Sequence, residues 1–183
     1  MSSYMYFEIK DVRHDKGLTA GDVYDGNLYH QVPDNRKNAQ WKFVNLGHGY
    51  YHIFDLKHNK ALVAGDVYDG HVYHQDPHGR LNAEWKLVNT ETPGIYRIVD
   101  RKHNHTLVAG NIYDGNVYHG SVSEEDTPDS QSNAFWKLIL RQAGELGPTP
   151  FKEDKRQVTD LSKDVVFGLA RQYDKGVQTS VAI

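Results

Sequence analysis

Asp22, Tyr24, Asp25, Asn27 and Tyr29 fall within eight consecutive residues. Carboxylates and an amide stand there beside two aromatic rings. Such groups accept from neighbouring hydroxyls and cover an apolar ring face, which is what recognition of a polyhydroxylated ring requires. The set returns as Asp66, Tyr68, Asp69, His71 and Tyr73, and again as Asn111, Tyr113, Asp114, Asn116 and Tyr118. The third copy has Asn111 in place of the acid, and Gly120 where the others carry Gln31 and Gln75. A purely structural explanation competes. Asp-Gly and Asn serve turns, and Tyr packs well on half-buried strands.

The histidines form two further sets. His30, His74 and His119 each follow an apolar residue (Leu28, Val72, Val117) by two positions. Strand alternation therefore points them inward, towards a threefold axis. Three imidazoles could converge there on a metal, or form a layer hydrogen-bonded to backbone. The second arrangement is the expected one, so neither a metal nor another cofactor is anticipated. His14, His58 and His103 lie in basic turns and are expected to be solvated. Trp41, Trp85 and Trp136 are expected in the core.

Catalysis finds little support in these residues. The chain has no Cys, which excludes thiolate nucleophiles, disulfides and Cys-ligated zinc. No Ser stands in a Gly-x-Ser-x-Gly elbow, and no Gly-rich phosphate loop has the required spacing. The reading is of a protein that is not an enzyme.

The elements that carry these residues come from repetition. The segments GDVYDGNLYHQ, GDVYDGHVYHQ and GNIYDGNVYHG begin at Gly21, Gly65 and Gly110, 44 and 45 residues apart. Each is preceded by an apolar-basic stretch and followed by a Trp unit (NAQWKFV, NAEWKLV, NAFWKLI). The longer third interval holds the polar loop Ser121–Ser132. All 11 His and all 3 Trp precede residue 145, so the unusual composition belongs to the repeat. Each repeat offers four short strands. The first alternates Phe7 and Ile9, Tyr51 and Ile53, or Tyr96 and Ile98 with other residues. A basic turn follows, then a strand with Leu18 and Ala20 or their counterparts. An Asp-Gly pair (25–26, 69–70, 114–115) reads as a tight hairpin, because Gly accepts a positive φ. The third strand carries Leu28, Val72 or Val117, and the fourth the Trp. Three blades are too few for a propeller, and a solenoid would leave apolar ends uncapped. Twelve strands in three repeats predict an all-β fold, the β-trefoil with pseudo-threefold symmetry.

The run of Gly, Asp-Gly-Asn, an apolar strand and then a Trp thirteen residues on (Leu28 to Trp41, Val72 to Trp85) resembles the ricin-B-type β-trefoil lectins. In that family a repeat ends in Gln-x-Trp. Here the corresponding residues are Ala39-Gln40-Trp41, Ala83-Glu84-Trp85 and Ala134-Phe135-Trp136. The Gln is absent from all three, as are the Cys pairs of many secreted members. The resemblance implies a non-enzymatic, multivalent carbohydrate-binding protein with up to three shallow sites for galactose or N-acetylgalactosamine glycans. Agglutination, cell-surface recognition or defence would follow. Trefoils also act as cytoskeletal or inhibitory protein-binding modules, or as the receptor-binding part of a pore-forming toxin, and fold alone does not choose among these.

The expected organisation is a trefoil domain over residues 1–144, with repeats at about 6–49, 50–94 and 95–144, and an extension over 145–183 of unassigned role. ELGPTP (145–150) reads as a linker, Leu161, Val165, Leu169 and Tyr173 suit a short helix, and Val177 to Ile183 alternate like a strand. The extension could join two copies into a homodimer. Net charge is −3 and the pI about 6.4, which argues against a nucleic-acid partner. No apolar run reaches the ~18 residues of a membrane span. The lack of Cys and of an apolar leader suits a cytoplasmic or non-classically secreted protein, or an extracellular one whose signal peptide was removed.

Overall fold

The computed structural model describes residues 4–21, 26–65, 70–110, 115–123, 126–129 and 132–143. The helix and strand expected after residue 144 lie outside them. Twelve strands follow one another: β1 (Tyr4–Asp11), β2 (Gly17–Ala20), β3 (Leu28–Gln31), β4 (Trp41–Gly47), β5 (Tyr50–Asp55), β6 (Ala61–Ala64), β7 (Val72–Gln75), β8 (Trp85–Asn89), β9 (Ile95–Asp100), β10 (Thr106–Ala109), β11 (Val117–Gly120) and β12 (Trp136–Ala143). β1, β4, β5, β8, β9 and β12 pair antiparallel in a closed ring, two strands from each repeat. Closure leaves this barrel without an edge. The hairpins β2–β3, β6–β7 and β10–β11 stand outside it. This is the all-β trefoil expected from the repeats.

Alternation decides the core. Phe7, Ile9, Tyr51, Ile53, Tyr96 and Ile98 point into the barrel with Leu18, Leu62 and Leu107 from the hairpins. The three Trp are fully buried, and each indole N–H donates to a hairpin carbonyl: Trp41 to Leu18, Trp85 to Leu62 and Trp136 to Leu107, all at 2.8 Å. They therefore bind each hairpin to the barrel strand that follows it.

Two local features were not foreseen. A single turn of 3₁₀ helix precedes each Trp strand, at Lys37–Ala39, Leu81–Ala83 and Ser132–Ala134. Three residues carry no period from which to read it. The hairpin connection is also longer than the expected tight turn. Ala20 pairs with Leu28, so residues 21–27 form the connection and Gly26 lies near its end. Gly26, Gly70 and Gly115 do adopt positive φ, at 65°, 63° and 66°. Their role is different: the carbonyl of each accepts the backbone N–H of a histidine in another repeat. The pairs are His74 to Gly26, His119 to Gly70 and His30 to Gly115, each at 2.7 Å.

Candidate functional site

Of the residues expected to contact a ligand, Asp22, Tyr24, Asp25, Asp66, Tyr68, Asp69, Asn111, Tyr113 and Asp114 lie outside the described residues. The other six are placed, and the fold brings them together around the threefold axis. Asn27 bridges to Tyr73, His71 to Tyr118, and Asn116 to Tyr29, so each hairpin meets the next in a ring. Asn27, His71 and Asn116, with Leu28, Val72 and Val117 beneath them, line a small axial space of about 30 Å³. That holds a water or two. Tyr29, Tyr73 and Tyr118 are half-buried on the outward side of their strands. The Asn116 amide donates to the Tyr118 hydroxyl at 3.4 Å, and His71 Nδ1 lies 3.4 Å from the Tyr73 hydroxyl. The ring of backbone bonds explains why Gly recurs at 26, 70 and 115. It places no demand on the side chains at 27 and 29 or their counterparts.

The histidine sets sit elsewhere than expected. His30, His74 and His119 are buried, as alternation required. Each, however, packs against the turn histidine of its own repeat, with ring centroids 4.8, 4.8 and 5.0 Å apart. They sit in three separate groups, the third joined by His105, and form no axial cluster. His14, His58 and His103 are correspondingly not solvated; their side chains are only 7%, 5% and 4% exposed.

The cause is Asp11, Asp55 and Asp100, which sequence reasoning passed over. Asp11 ends β1 fully buried, and its two carboxylate oxygens accept the backbone N–H groups of His14 (2.6 Å) and Lys16 (3.2 Å). Asp55 and Asp100 do the same for His58 and Lys60, and for His103 and His105. The carboxylate winds the turn back on itself, helped by the left-handed backbone at Asp15, Asn59 and Asn104, which short polar side chains tolerate. The histidine three residues after the aspartate is thereby folded inward. Burial pushes the Asp11 carboxyl up, but the His30 imidazole, the His14 and Lys16 N–H groups and the His14 ring outweigh it and hold it below the ordinary value. Asp55 is lowered against burial by His74, by the His58 and Lys60 N–H groups and by the His58 ring. The signal was present as Asp-x-x-His in every repeat.

A second overlooked set is Asn38, Asn82 and Asn133. Their amides donate to the carbonyls of Ala20, Ala64 and Ala109, at 2.8, 2.6 and 2.9 Å, where each hairpin connection begins. The residue before each Trp makes a contact between repeats. The backbone carbonyls of Gln40, Glu84 and Phe135 accept the N–H groups of Leu56, Arg101 and Val12 in the next repeat. The side chains there make different contacts: Gln40 Nε2 donates to the Asn35 carbonyl at 3.0 Å, Glu84 pairs with Arg101, and Phe135 is buried.

Solved structures share this architecture. The designed threefold-symmetric protein ThreeFoil is 29% identical, with a TM-score of 0.65 over 73% of this chain and 97% of that one. The fold is that of the ricin B-like β-trefoil lectins. The Macrolepiota procera ricin B-like lectin, solved in complex with lactose, is 18% identical with a TM-score of 0.58, over 75% of this chain and 96% of that one. An exo-β-1,3-galactanase from Clostridium thermocellum also matches, at 22% identity and a TM-score of 0.65 over 74% of this chain. There the match spans 30% of the enzyme. No family model matches the sequence, and no curated protein does.

Proposed function

We propose that the chain is a multivalent carbohydrate-binding protein that performs no catalysis and reads galactose- or N-acetylgalactosamine-type glycans at up to three hairpin sites. One observation carries this reading. The side chains at 27 and 29, 71 and 73, and 116 and 118 repeat an amide or imidazole beside a tyrosine, although the backbone ring that joins the hairpins demands only the glycines. The lectin fold supports it. A single shallow site binds weakly, and three on one rigid body gain avidity on a dense glycan surface.

A glycan array probed with the full chain and with a variant combining Asp22→Ala, Asp66→Ala and Asn111→Ala tests the assignment. Binding is expected to vanish in the variant while its circular dichroism is unchanged. Undiminished binding would remove the sites from these hairpins. A blank array for the parent chain, together with capture of a defined protein partner, would favour a protein-interaction trefoil.

A further inference from the structure

We propose that the three Asp-His-His clusters, Asp11–His14–His30, Asp55–His58–His74 and Asp100–His103–His119, are binding sites for divalent transition-metal ions, with zinc as the representative ion. In each, one carboxylate oxygen and one nitrogen from either imidazole lie within 4.8 Å of one another. The shortest approaches are 2.9 Å from His14 Nδ1 to Asp11, 3.0 Å from His58 Nδ1 to Asp55 and 3.0 Å from His103 Nδ1 to Asp100. His30 and His74 Nδ1 stand 3.6 and 3.7 Å from the same carboxylates. Ligand atoms about 2.0–2.2 Å from a tetrahedral zinc are about 3.4 Å apart, so these separations bracket those of a coordinated ion. Two imidazoles and a carboxylate suit zinc and its first-row neighbours.

The imidazole nitrogens supply the independent observation. Nδ1 of His14, His30, His58, His74 and His103 makes no hydrogen bond despite burial, and neither does Nε2 of His30, His58, His74 or His103. The short Nδ1–carboxylate approaches are therefore not aligned as hydrogen bonds. Buried polar nitrogens left in this condition cost stability unless something ligates them. The aspartate's turn-capping role does not compete, because its two oxygens offer about four lone-pair positions and the backbone occupies two. The arrangement occurs three times, so it is not one accident of packing.

The third repeat differs. His105 stands where the others have Lys16 and Lys60, and its Nδ1 is hydrogen-bonded to that of His119 at 3.1 Å. An ion at this site displaces that bond or takes His119 through its buried Nε2. The inference is independent of glycan binding and runs against the sequence-based expectation that no metal is held.

The test is equilibrium dialysis of the chelator-stripped full chain against zinc, with metal and protein quantified. The expected result is three ions per chain. His14→Gln, His58→Gln and His103→Gln should each remove one ion, and the triple variant all three. Zinc retention unchanged in a folded triple variant would overturn the proposal, as would no retention by the parent chain. Should the variants not fold, zinc titration of the parent followed by histidine-ring NMR decides the matter. Shifts confined to the rings of the cluster histidines support the sites. Shifts confined to the exposed His48, His71 and His78 refute them.

Discussion

At the scale of single residues the molecule is governed by groups whose backbone partner lies far away in sequence. Trp41 is the plainest case, since its ring fills the core and its N–H satisfies Leu18 at the same time. Trp41→Phe should cost about 1–3 kcal/mol for the orphaned carbonyl, with a further loss for the smaller ring, and urea denaturation would measure it. Gly70 carries a second prediction. Its φ of 63° and its carbonyl bond to the His119 N–H mean that Gly70→Ala strains the backbone without leaving a cavity. The loss should be about 1–2 kcal/mol, read as a lower urea midpoint at unchanged slope. Leu28 and Trp41 could be placed from period two and from side-chain volume. His14 could not, because its burial depends on a carboxylate three residues earlier that folds the turn inward, and that contact has no period.

At the scale of elements, β5 is distinctive. Its outward residues Tyr50, His52 and Phe54 form an aromatic row, where the first repeat has Tyr6, Glu8 and Lys10. Arg101 lies over Tyr50 at 4.7 Å and pairs with Glu84, and Lys42 lies over Phe54 at 5.2 Å. Partial burial within this row pushes the His52 imidazole below its ordinary 6.5, with Glu84 partly opposing. The unfolded chain therefore takes up a proton first as pH falls. Stability contributed by neutral His52 is complete above the ordinary imidazole value and declines as pH drops from there towards the folded-state value. His52→Gln should flatten that part of a melting-temperature profile measured against pH. The hairpin elements were legible as strands because apolar residues alternate. Their docking was not, since Gly26, Gly70 and Gly115 bond to a different repeat from their own, and only the assembled ring reveals the partner.

At the scale of the whole molecule, no repeat is complete. Every barrel strand finds a neighbour from another repeat, and the hairpin ring passes from repeat one to two, two to three and three to one. A fragment of residues 6–49 has no closed barrel and no partner for its Gly26 carbonyl. It should show no cooperative thermal transition, whereas residues 4–143 should. Circular dichroism melts of the two would decide this. The repetition that made the fold readable is the same property that makes its parts interdependent.

The pairing of β1 with β12 runs from Tyr4 opposite Ala143 to Asp11 opposite Trp136. The chain thus enters and leaves the barrel side by side, at the end of β1 remote from the hairpins. Anything grafted after residue 143 departs from a single mooring point. Anchored there, the protein would present its ring of three hairpins together to one facing surface.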